Sequence, residues 1–132
     1  MISFSLRDSG IFYVDFSDTV TVEDIKNYLF EFERLDNLPK NIYLLYDLRE
    51  VDMNLEIDDI SFISKLAEKG TSSYKTIRTA FLVDTPKITA YSILFNLDTS
   101  SEKVLINVFS TEEAALKWLK QQVSYNNYLR EF

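Results

Sequence analysis

Residues 41 to 47 read NIYLLYD, a nearly continuous apolar run that ends on an acid. A strand that alternated between core and solvent would show polar residues at every second position, and this one does not. The run therefore predicts a strand buried on both faces, which needs a layer of structure on each side of its sheet. What surrounds it supplies those layers. Upstream, Val22, Ile25, Tyr28, Leu29, Phe32 and Leu35 recur at the three-and-four spacing of one helical face. Thr21 with Asp24 offers a start signal, and Pro39 a stop. Downstream, Ile60, Ile63, Leu66 and Ala67 predict a second helix from about Asp58 to Lys69, with Gly70 at its end.

The rest of the chain continues the alternation. ISFSL (2–6) and IFYVDF (11–16), parted by Arg7-Asp8-Ser9-Gly10, predict a hairpin. Residues 73 to 83 contain a strand, most securely IRTAFLV. Asp84-Thr85-Pro86 then opens a short helix carrying Ile88, Tyr91, Ile93, Leu94 and Phe95. VLINVF (104–109) is a further strand, and STEEAALKWL starts a final helix reaching about Tyr128, with Ser110 and Glu113 as its expected capping box. A hairpin followed by alternating helices and strands predicts an α/β layered domain with mostly parallel later strands. With 132 residues and no linker or repeat, one domain over residues 1–132 is the expectation. The segment REVDMNLEID (49–58) reads as a partly ordered loop beyond the sheet edge.

Composition removes several function classes. There is no Cys and no His, which excludes disulfides, thiolate nucleophiles, imidazole acid–base chemistry and ordinary zinc sites. A net charge of -7 repels phosphate backbones and anionic membranes, so no nucleic-acid partner is expected. No apolar run approaches the roughly 20 residues of a membrane span, and the first ten residues lack the pattern of a signal peptide. A cytoplasmic location is the resulting expectation. Two glycines cannot build a phosphate-binding loop, and nothing supplies a nucleophile with its base. The residues point away from catalysis, and no catalytic group, metal or cofactor is assigned.

The hairpin, the alternation and the motif VFSTEEAALKWL together resemble the STAS-like domains, the small bacterial proteins grouped with the sporulation anti-anti-sigma factor (SpoIIAA-like) fold, in their uncharacterised branch. Asp47-Leu48 stands where the phosphorylatable members of that family place Asp-Leu-Ser-Gly. Those members continue to an Ile-Asp-Ser-Ser-Gly sequence whose serine opens the next helix. Here no Ser, Thr or Gly occurs between Arg49 and Asp59. The resemblance implies a regulatory domain, and the departure implies one without the phosphoserine switch, which works by adding negative charge and acceptor atoms at a helix start.

Three constellations remain. Asp15, Asp47 and Asp84 end strands, where they either converge on a hard cation or accept backbone N–H bonds in turns. Asp47, Arg49, Met53, Asp84, Lys87 and Tyr91 border a crevice at the strand ends, expected to take a small anionic or amphipathic ligand. There Arg49 either meets that ligand or pairs with Glu50, Asp52 or Asp84. Phe30, off the apolar stripe of its helix, and the C-terminal Tyr125, Tyr128, Leu129 and Phe132 form the expected interface set, for a protein partner or a homodimer. Non-catalytic protein association is thus the first expectation, and ligand binding the alternative.

Overall fold

The computed structural model describes residues 1 to 7 and 9 to 130. Nine elements follow in chain order: β1 (Ile2–Leu6), β2 (Ile11–Thr19), α1 (Val22–Glu33), β3 (Asn41–Asp52), α2 (Ile57–Gly70), β4 (Thr76–Leu82), α3 (Pro86–Asp98), β5 (Val104–Phe109) and α4 (Glu112–Arg130). The five strands form one sheet in the order β1-β2-β3-β4-β5. β1 pairs antiparallel with β2, and every later pairing is parallel. The first turn closes through the Gly10 amide donating to the Arg7 carbonyl at 2.8 Å, with Gly10 at a φ of 83° that an L side chain adopts only under strain.

Each parallel pair is joined by one crossover helix between neighbouring strands. Right-handed crossovers in one direction place all such helices on one face. Accordingly α1, α2 and α3 share a core with Phe12, Val14, Leu44, Leu48, Ile77, Phe81 and Ile106. The opposite face carries a smaller core, where Ala115 and Leu119 of α4 meet Ile11, Tyr43, Leu45, Ala80 and Leu82. β3 feeds both cores by alternation, which explains why its sequence lacks polar gaps.

Local chemistry sets the helix starts. The Thr21 hydroxyl accepts from the Asp24 amide at 3.2 Å, and the Asp24 carboxylate accepts from the Thr21 amide at 2.9 Å, a capping box. Thr85 caps α3 ahead of Pro86. At α4 the cap falls one residue later than the sequence pattern indicates. It is Thr111, not Ser110, whose hydroxyl accepts from the Ala114 amide at 3.2 Å. In a Ser-Thr pair either hydroxyl can cap, and here the helix begins at Glu112.

The segment read from sequence as a loop is mostly regular structure. β3 runs on to Asp52 because β2 is long enough to pair with it, as far as Thr19 opposite Asp52. α2 begins at Ile57 under its own capping box, with the Glu56 amide donating to Asp59 Oδ2 at 2.8 Å. Only residues 53 to 56 lie between the two elements. In their midst Met53 turns inward and is buried.

Candidate ligand cavity

Between the sheet and the layer of α1, α2 and α3 lies a cavity of about 140 Å³. For scale, an engineered apolar cavity of about 150 Å³ stays dry and binds benzene. The aromatic residues of the sheet and the helices form its wall in edge and tilted contacts. Tyr46 stands at the centre, with ring centroids 6.0 Å from Phe16, 6.0 Å from Tyr28 and 5.4 Å from Phe81, and Phe81 continues to Phe95 at 5.8 Å. Branched residues from the three helices complete it, among them Ile25, Ile60, Ile63 and Ile88.

Apart from Glu68, the polar side chains within this wall carry hydroxyls. Tyr28 and Tyr46 are hydrogen-bonded through their phenol oxygens at 2.9 Å. Burial, and then the neighbouring Tyr46, pushes the Tyr28 phenol well above its ordinary range. Burial pushes Tyr46 up to about 12, with the hydrogen bond from Tyr28 acting the other way. Two phenols share a single bond, so one of their two protons has no partner inside the pair. Ser92 on α3 satisfies its hydroxyl by donating to the Ile88 carbonyl at 3.0 Å. The Ser64 hydroxyl on α2 makes no such bond. Among the described residues it has no hydrogen-bond partner, in a residue only 1% exposed that lines the cavity. At the cavity's edge the Tyr91 hydroxyl accepts from the Leu55 amide at 3.0 Å, tying the link between β3 and α2 against α3.

Charge is nearly absent from the lining. Glu68 is the one acidic or basic residue among those that line the cavity, and its Oε1 already accepts from the Ser100 amide at 2.9 Å and the Ser100 hydroxyl at 3.2 Å.

The six residues expected to border one crevice divide between different places. Met53 and Tyr91 line the cavity. Asp47 and Arg49 lie on the opposite face of β3, since alternation directs Leu48 into the cavity and its neighbours away from it. There Asp47 Oδ2 meets Arg49 Nη2 at 2.8 Å and Oδ1 accepts from Arg49 Nε at 3.0 Å. The Arg49 side chain, by hydrogen bonding first, holds the Asp47 carboxyl below its usual range, and Asp47 raises Arg49 in turn. Glu112 and Asp84 add to the field around that guanidinium. Asp84 is exposed, and exposed Lys87 donates to Asn54 Oδ1.

Asp15 and Asp47 sit opposite each other in neighbouring strands, but among the described residues no group of three acidic side chains could hold a metal ion. Within the interface set, Phe30 is half-exposed with the Lys26 ammonium 5.9 Å from its ring. Tyr125, Tyr128 and Leu129 are 58%, 57% and 49% exposed, while Asn126 between them is buried and donates to the Tyr43 hydroxyl at 2.8 Å. Phe132 lies outside the described residues.

Sequence reasoning missed Tyr28, Tyr46 and Ser64 as site residues. The available signal was Ser64 itself, a polar residue four positions after Ile60 on the inward stripe of α2.

A mixed five-stranded sheet with an antiparallel edge hairpin, three helices on one face and one on the other, defines an α/β domain of the STAS-like type. The SpoIIAA-like family profile matches residues 11–120, and the chain belongs to that family. It is similar over 90% of its length to 92% of an uncharacterized DUF3478-family protein with a SpoIIAA-like fold from Shewanella loihica PV-4, at 21% identity and a TM-score of 0.59. That likeness is one of fold. No curated protein matches the chain. Among the described residues no helix is long and apolar enough to cross a membrane.

Proposed function

We propose that this chain is a non-catalytic binding domain that holds a small amphipathic ligand in the cavity between its sheet and α1, α2 and α3. Membership of the SpoIIAA-like family supports a regulatory or interaction role. The observation that carries the more specific reading is the aromatic cavity itself. Well-packed interiors leave few voids larger than a water molecule, and one with room for a benzene ring is a ready ligand site. Met53 and Tyr91 are its contacts among the residues singled out by sequence. The domain acts without a phosphoserine switch. The start of α2 is held by the Asp59 carboxylate, which accepts from the Glu56 amide, with no hydroxyl residue from Arg49 to Asp59.

Replacing Ala67, on the cavity wall, by Leu tests the reading. Calorimetric titration of the wild type with ethylbenzene gives saturable heat, and the Ala67→Leu protein, folded by circular dichroism, gives none. Equal heat from both proteins places the probe elsewhere and rejects the cavity as the site.

A second reading, protein association, is favoured by the half-exposed Tyr125, Tyr128 and Leu129 at the end of α4. Light scattering over a concentration range then shows a dimer that Tyr125→Ser with Leu129→Ser dissociates. A monomer at every concentration counts against self-association.

A further inference from the structure

The cavity is apolar in bulk but carries unspent hydrogen-bonding capacity, and two places concern buried donors on its helices and central strand. One is the Ser64 hydroxyl. A serine within a helix ordinarily satisfies itself by donating to the carbonyl four residues earlier, as Ser92 does in the next helix. Ser64 is 1% exposed and does not. Burying a hydroxyl without a partner is destabilising, and an Ala at this position would avoid the cost and favour the helix. The other is the proton left over in the Tyr28–Tyr46 pair. Both belong to groups that line the same cavity.

We infer that Ser64 and the Tyr28–Tyr46 pair make this cavity selective for an uncharged ligand that carries a hydrogen-bond-accepting oxygen, such as a ketone, ester or amide carbonyl, on a hydrocarbon body. The inference rests on the reading of the cavity as a ligand site. A pure hydrocarbon fills the volume but leaves both donors unpaired. A carboxylate would bring a charge into a wall with no cation, past the negative charge of Glu68. The burial that raises both phenols opposes the anionic form of a ligand in the same way. A carbonyl oxygen accepts from one or other of these hydroxyls at no charge cost. The cavity volume suits a body of about benzene's size.

The test is an amide chemical-shift titration of isotope-labelled protein with three probes of matched size: ethylbenzene, acetophenone and benzoate. The expected order is acetophenone tightest, ethylbenzene about five- to tenfold weaker, and benzoate weaker than ethylbenzene. In Ser64→Ala the acetophenone advantage shrinks while ethylbenzene affinity holds, because the cavity is kept and only the hydroxyl is gone. The Tyr28→Phe/Tyr46→Phe double variant reduces the advantage independently, should Ser64→Ala alter packing. Ethylbenzene binding as tightly as acetophenone, benzoate binding tightest, or an acetophenone preference that survives both variants overturns the selectivity and leaves the cavity as a site. If none of the three shifts the cavity residues, the ligand reading itself falls.

Discussion

Replacing one phenol of the Tyr28–Tyr46 pair is expected to cost more than replacing both. The two oxygens lie 2.9 Å apart within an aromatic wall, and among the described residues neither phenol has another hydrogen-bond partner. Tyr28→Phe leaves Tyr46 with a buried hydroxyl and no partner, and Tyr46→Phe does the same to Tyr28. Each single change therefore destabilises by about 1 to 3 kcal/mol. The double variant loses both hydroxyls together, keeps both rings and the edge contacts, and falls close to the wild type. The expected coupling is the sum of the two single losses less the small loss of the double variant, about 2 to 6 kcal/mol. Urea denaturation at neutral pH, with unchanged m-values, measures all four corners of the cycle. Additive effects would refute the claim that the two hydroxyls satisfy each other inside the cavity wall.

The same pair has a pH signature. Both phenols ionise near pH 10 in the unfolded chain and higher in the folded one, Tyr46 at about 12. Between those values the unfolded chain releases protons that the folded chain retains, so stability is full below pH 10 and falls as the pH rises through about 12. For Tyr46 alone the loss is at most about 3 kcal/mol. The double Phe variant lacks this alkaline step, and denaturation between pH 9 and 12 compares the two. An identical decline in both proteins contradicts the raised phenols.

Three further outcomes follow from named contacts. Ser64→Ala raises stability by about 1 kcal/mol by removing an unpaired buried hydroxyl, seen as a melting temperature higher by roughly 3 to 5 °C; a lower melting temperature would mean that Ser64 is satisfied within the fold. Asn126→Ala lowers stability by about 1 to 3 kcal/mol in urea, because Asn126 is buried and its donor serves the Tyr43 hydroxyl at 2.8 Å; no change would detach the end of α4 from the sheet. Arg49→Ala changes stability by less than about 1 kcal/mol at neutral pH, since its pair with Asp47 is open to solvent; a large loss would give that pair a structural weight its exposure does not support.

Much of the architecture was legible because it rests on short-range patterns. The absence of polar gaps in NIYLLYD called for helices on both faces, and α1, α2 and α3 on one side and α4 on the other provide them. Thr21 with Asp24, and Thr85 before Pro86, act where their side-chain chemistry directs. REVD reads as a loop because of its charges, whereas the end of the central strand, running on past its pairing with β4, tolerates them once β2 is long enough to pair.

The cavity was hidden for a different reason. Its wall takes Tyr46 from a strand, Tyr28 and Ser64 from two helices and Tyr91 from a third, and only the register of four elements brings them together. The crevice expected at the strand ends failed to gather its residues because alternation along β3 sends Asp47 and Arg49 to one face and Leu48 to the other.

A crystal structure of the protein grown with acetophenone tests the central claim most directly. The account predicts ring density enclosed between the sheet and α1, α2 and α3, beside Tyr46 and Phe81, with the carbonyl oxygen within hydrogen-bonding distance of Ser64 or of the Tyr28–Tyr46 pair. Density confined to the exposed apolar residues on the outside of α3, Ile93, Leu94 and Leu97, with the cavity unfilled, would contradict it.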